Sequence, residues 1–102
     1  MKKTLTACLL AICLPYSFSA SADDGYTEEL YELYCKACHG VKGSGAPQAF
    51  NSKEWDSYLK KGLDTAINNS IKGINNMPPM GTCAECGPDE LKDIILYMSR
   101  GQ

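Results

Sequence analysis

Cys35, Cys38 and His39 fall within the run Cys35-Lys36-Ala37-Cys38-His39. Two thiols three positions apart can each add across a vinyl group of one porphyrin, and an imidazole next in line can then ligate its iron. This is the C-x-x-C-H pattern of covalent haem attachment. At the end of a helix, positions i, i+3 and i+4 share a face, so both sulfurs and the imidazole can address one flat cofactor. A thioredoxin-like or zinc-binding C-x-x-C that happens to precede a histidine would read the same locally. Signs of export and of a second ligand downstream favour haem.

His39 is the chain's single histidine, so a second iron ligand must be of another type. A thioether is a soft ligand for iron, and Met77-Pro78-Pro79-Met80 carries two of them around a pair of prolines that restrict the loop. The residues alone leave the choice between Met77 and Met80 open. Met98 fits ordinary core packing better. Cys83 and Cys86 form a second C-x-x-C without a histidine, which points to a different role. Cys35, Cys38, Cys83 and Cys86 together could alternatively form a four-cysteine zinc site. The second pair could also act as a thiol-redox module, since Cys86 precedes a helix start. The long gap between the pairs, the idle His39 and the lack of a βαβ pattern weigh against both.

Helices must position these groups. Tyr26, Leu30, Leu33, Tyr34 and Ala37 recur at helical spacing, with Glu28, Glu29 and Glu32 on or near the outer side. The pattern predicts a helix from about Thr27 to Cys38, stopped at Gly40, with Tyr31 the more exposed tyrosine. Gly43-Ser44-Gly45-Ala46-Pro47 reads as loop. Asn51, three before Glu54, resembles a capping box and predicts a short helix over 52–61 ended by Gly62. Leu63, Ala66, Ile67, Ser70 and Ile71 outline a further helix stopped by Gly73. Pro88 suits the first position of a last helix, with Leu91, Ile94, Ile95 and Met98 as its buried stripe. Tyr26, Tyr34, Tyr58 and Tyr97 read as core or cofactor packing. Trp55 reads as a packed residue whose indole N–H could reach a haem propionate. No stretch alternates as a strand does, so the expectation is one all-α domain.

The N-terminus reads as an export leader. Lys2 and Lys3 precede an apolar stretch from Leu5 to Leu14 that is too short to span a membrane. Small residues at Ala20 and Ala22 place cleavage after Ala22, giving a 1–22 signal peptide and a 23–102 domain. Neither Cys8 nor Cys13 suits lipidation: the first lies too early, and the second follows bulky Ile12. Ten basic residues less Lys2 and Lys3 leave eight against twelve acidic ones, a mature charge of −4. Without a basic patch nucleic acid is not the partner, and without a second long apolar run membrane insertion is not expected. The expected location is the periplasm. A domain this small needs a staple, and a buried haem would supply one.

Three blocks, Cys35–His39, Gly43–Pro47 and Met77-Pro78-Pro79-Met80-Gly81-Thr82-Cys83-Ala84-Glu85-Cys86, resemble a small bacterial class I cytochrome c of the c-five type. Lys61–Thr65 and Asp89-Glu90-Leu91 leading to Tyr97-Met98 are similar to that family as well. The likeness covers nearly all of the mature chain, and the M-P-P-x-G-T-C-x-x-C block is its most specific part. It implies about four helices wrapped around one covalently bound haem c, with Cys35 and Cys38 attached and His39 and Met77 as axial ligands. It also implies a Cys83–Cys86 disulfide. Met80 stands where the family usually has Lys or Arg, and is the less favoured distal ligand. The implied function is one-electron transfer by a soluble periplasmic carrier in a respiratory chain, with a membrane-bound reductase or terminal oxidase as partner. The carrier would be a monomer or a weak dimer through haem edges. With both axial positions filled, no substrate site remains and no enzyme is expected. A haem-based ligand sensor or weak peroxidase is the alternative if the Met77 bond is labile.

Overall fold

The structure is a computed structural model that describes residues 11–13 and 22–101. Most of the expected leader therefore lies outside the described residues. Helix α1 (Ala22–Leu30) runs through a π-helical turn (Tyr31–Cys35) into α2 (Lys36–His39). Then come α3 (Ser52–Leu59), α4 (Leu63–Lys72), a 3-10 turn (Pro79–Thr82) and α5 (Pro88–Ser99). Among the described residues there is no β-strand, only an isolated bridge between Ile74 and Met77. The all-α expectation holds.

The first helix departs from its sequence pattern in two ways. It begins at Ala22 rather than near Thr27. It also buries a different stripe. Tyr31 is buried, whereas Leu33 is 62% and Tyr26 45% exposed. Thr27, Leu30 and Tyr31 form the buried stripe at ordinary helical spacing, and a π turn follows, closed by the Lys36 N–H bonding to the Tyr31 carbonyl. One extra residue in a turn sets the following side chains back by about 100° relative to a regular helix. Tyr31 and His39, eight apart, are thereby both buried, and a strict 3.6-residue reading misses the phase.

Helix α3 stops at Leu59, two residues short of the expected end, where the Gly62 N–H bonds the Leu59 carbonyl. The Asn51 side chain makes no capping bond; the backbone does the work, with Glu54 N–H on the Asn51 carbonyl at 3.1 Å. A carboxylate cap appears instead at α5, where the Gly87 N–H donates to Glu90 Oε2 at 3.0 Å. Pro88 takes the first position of α5, as expected.

Helix α5 packs on both α1 and α4. Its stripe Leu91, Ile94, Ile95 and Met98 is buried together with Leu30, Tyr31, Trp55, Ala66, Cys83 and Cys86. Leu30 and Ile94 are sealed, each contributing about 1.5–3 kcal/mol by burial. Phe50 packs edge-on to both Tyr31 and Tyr97, whose own rings are tilted to each other, and the Arg100 guanidinium lies 4.5 Å from the Tyr97 ring centre, a cation–π contact.

Candidate haem site

The chain leaving His39 folds straight back over it. Ala49 N–H bonds the His39 carbonyl at 2.8 Å, and Phe50 N–H bonds the Met98 carbonyl at 2.6 Å, tying the loop to both α2 and α5. Ser44 Oγ donates to the Cys38 carbonyl at 2.6 Å, and the Gln48 amide donates to the Ala46 carbonyl at 3.0 Å. The loop so braced presents the Pro47 carbonyl to His39 Nδ1 at 2.8 Å. A carbonyl only accepts, so Nδ1 carries the proton and Nε2 keeps its lone pair. Among the described residues nothing bonds Nε2. A metal-ligating histidine is oriented in this way, by a donor bond from its other nitrogen.

Trp55 completes the cradle. Its ring lies nearly parallel to His39, with centroids 5.4 Å apart, and its Nε1–H donates to the Gln48 carbonyl at 2.9 Å. The indole N–H is thus used inside the protein, and the propionate partner that the sequence suggested for it is replaced by Gln48. Sequence reasoning missed Pro47 and Gln48 as site residues, because their part is played by backbone carbonyls that any residue type could offer.

The second loop is pinned around Met77. Its amide bonds the Ile74 carbonyl at 2.8 Å, and its carbonyl accepts from Ile74 N–H at 3.2 Å. Cys83 N–H bonds the Met80 carbonyl at 3.1 Å. The Cys83 and Cys86 sulfurs lie at bonding distance, with Cα atoms 5.4 Å apart, and both residues are buried. Met80 packs against the core cluster, which Met77 does not join.

These pieces meet in one cleft of about 280 Å³, lined by Cys35, Cys38, His39, Met77 and Met80 and backed by Ile94, Ile95 and Met98. Its wall is chiefly apolar, and exposed Cys38 lies at its mouth. Burial, and then the neighbouring Cys38, push the Cys35 thiol up to about 11. A thiol so held is protonated at neutral pH, unlike the activated thiolates of exchange centres. The two cysteine pairs do not converge: no three His, Cys, Asp or Glu side chains gather as a metal cluster among the described residues. The four-cysteine zinc arrangement is not formed. Two thiols, an imidazole with a free lone pair and soft thioethers around an apolar slot fit a haem.

Comparison with known proteins agrees. Residues 22–98 match the family model described as cytochrome c oxidase, cbb3-type, subunit III. The chain belongs to the class I c-type cytochromes. It is 43% identical to cytochrome c5 of Azotobacter vinelandii over 74 residues, spanning 71% of this chain and 89% of that one. In fold it is similar to a mono-haem ferrocytochrome c from Shewanella putrefaciens, with TM-score 0.65 and 34% identity over 74% of this chain and 94% of the other. It is also similar to a chain in the crystal structure of an electron-transfer complex of nitrite reductase with cytochrome c. That match has TM-score 0.64 and 30% identity, covering 72% and 89% of the two chains. As a c-type cytochrome the chain is an electron carrier with one covalently bound haem c. No helix among the described residues is long and apolar enough to cross a membrane.

Proposed function

We propose that this cytochrome is a soluble one-electron carrier of a periplasmic respiratory chain, with Cys35 and Cys38 as thioether anchors and His39 and Met77 as axial ligands. The haem supplies the ferric/ferrous couple. The observation that carries the reading is the convergence of Cys35, Cys38, His39 and Met77 on one apolar cleft, with His39 locked in the tautomer that leaves Nε2 to bind. Met77 is preferred to Met80 because its backbone is held at both N–H and C=O while its side chain stands apart from the packed core. Held ligands on both sides keep reorganisation small and leave no substrate position, which favours a carrier over an enzyme, a sensor or a peroxidase. Methionine–histidine ligation raises the reduction potential.

Residues 1–22 act as the export leader in this reading, and Cys83–Cys86 is a disulfide that ties the ligand loop to the start of α5. Partners are redox proteins such as a membrane-bound reductase or terminal oxidase; the relative seen beside nitrite reductase is a precedent for such pairing. Ala37, Cys38 and Pro78 put no charge at the cleft mouth, so encounters depend weakly on ionic strength and need only a small contact.

The test is a pair of variants. Met77→Ala abolishes the weak near-infrared sulfur-to-iron band of the oxidised protein and admits added cyanide, and Met80→Ala leaves both unchanged. The reverse pattern moves the ligand to Met80.

A further inference from the structure

Two glycines close on Met77 from different directions. Gly73, which ends α4 at φ 86°, is backed against the ligand loop: a Cβ there would lie 2.9 Å from the Met77 carbonyl oxygen and 3.0 Å from Pro79 N. Gly81, at φ 56°, has its bare Cα against the thioether itself: a Cβ there would lie 3.0 Å from Met77 Cε. One contact is with the Met77 backbone, the other with the methyl bonded to its sulfur.

We infer that Gly73 and Gly81 are positioning residues for the Met77 thioether, Gly73 by setting where its backbone runs and Gly81 by leaving room for its methyl. The inference rests on Met77 being the axial ligand.

The loop is built to make the second contact. Met80, Gly81 and Thr82 all have positive φ, at 62°, 56° and 67°, a run of one hand that L residues disfavour. The Gly81 N–H on the Pro78 carbonyl, at 3.0 Å, and the Cys83 N–H on the Met80 carbonyl, at 3.1 Å, hold that turn in place. Its result is to fold residue 81 back onto Met77. At Gly73 the atoms met by a side chain belong to backbone fixed by the Ile74–Met77 pair and by Pro79, so the whole segment would have to move. At Gly81 they end at a flexible side chain, so the fold would survive while the methyl swings away and takes the sulfur with it.

The test compares holoproteins carrying Gly81→Ala and Gly62→Ala. Gly62 also has positive φ, at 106°, but a Cβ there meets nothing nearer than Thr65 Oγ1 at 4.0 Å, so it reports backbone strain alone. Gly81→Ala keeps the haem on the chain in denaturing electrophoresis, weakens or shifts the near-infrared band, and speeds cyanide binding by about tenfold or more as the thioether is displaced. Gly62→Ala leaves band and rate unchanged. A native band and rate in Gly81→Ala, or equal losses in Gly62→Ala, overturns the inference. Should Gly81→Ala yield no folded holoprotein, the Gly81→Ala/Met77→Ala double variant decides: a cost of Gly81→Ala that shrinks once Met77 is Ala supports the contact, and an equal cost refutes it. The ligand reading is judged separately. If Met77→Ala keeps the band, Met77 is not the ligand; if it loses the band while Gly81→Ala keeps it, only the positioning role fails.

Discussion

The His39 ring is held by the backbone of Pro47: Nδ1 donates to the Pro47 carbonyl at 2.8 Å, across eight residues of chain. The bond fixes the tautomer before any iron arrives. It depends on the loop between them, which Trp55 anchors at the next carbonyl, Gln48. Trp55→Phe keeps an aromatic ring beside His39 but loses the N–H bond and part of the indole's volume, so it should cost about 1–3 kcal/mol in denaturant unfolding. Trp55→Ala also opens a void beside His39 and should cost roughly 3–5 kcal/mol. Equal costs for the two would mean that the N–H bond, not the packing, carries Trp55's contribution.

Thioether attachment makes the haem part of the polypeptide. Colour should stay with the chain through acid–acetone extraction and denaturing electrophoresis. The Cys35→Ala/Cys38→Ala variant should be colourless and largely unfolded by circular dichroism, because the cleft lies between α2, α4 and α5 and its walls then have nothing to pack on. A folded, stable double variant would show that the apolar core suffices without the cofactor.

The second pair is proposed to be bonded and structural. Mass spectrometry of the holoprotein should find no free thiol at Cys83 or Cys86. The loop it closes spans three positions, so replacing both by Ala should cost about 2 kcal/mol on chain-entropy grounds, with some further loss because both are buried. Electron transfer should persist. Its disappearance with an intact near-infrared band would assign the pair a redox role.

The sequence exposed the parts whose chemistry depends on residue type. Cys35, Cys38 and His39 stand out by spacing, Met77 and Met80 together by the prolines between them, with the family resemblance alone favouring Met77, and the α5 stripe by a regular period that nothing interrupts. What stayed hidden depends on backbone. The π turn at Tyr31–Cys35 resets the phase so that His39 returns to the buried face of Tyr31, and no residue in Tyr-Glu-Leu-Tyr-Cys signals a bond five positions apart. The Pro47 and Gln48 carbonyls are equally silent, because every residue has one. Gly73 and Gly81 were visible only as a helix stop and part of a motif; the space they leave for Met77 requires coordinates.

Tyr31 gives the fold a dependence on alkaline pH. Burial chiefly, and Glu32 next, raise its phenol above the ordinary value of 10.0. The unfolded chain therefore loses this proton at lower pH than the folded one. The contribution is fully present below pH 10 and is lost as pH rises through the folded-state value. Tyr31→Phe should change stability little at neutral pH, since the hydroxyl makes no hydrogen bond among the described residues, and should flatten the decline above about pH 10 in a series of denaturant titrations. An unchanged decline would place its origin at other tyrosines.

The central claim, a one-electron carrier with both axial positions held by the protein, is tested most directly by a redox titration of the holoprotein followed in the visible and near-infrared. The account predicts a single reversible one-electron step, low-spin spectra in both states, the sulfur-to-iron band in the oxidised state alone, and no carbon monoxide binding when reduced. A high-spin spectrum in either state, or rapid carbon monoxide binding to the reduced protein, would contradict it and point to a haem with an open face.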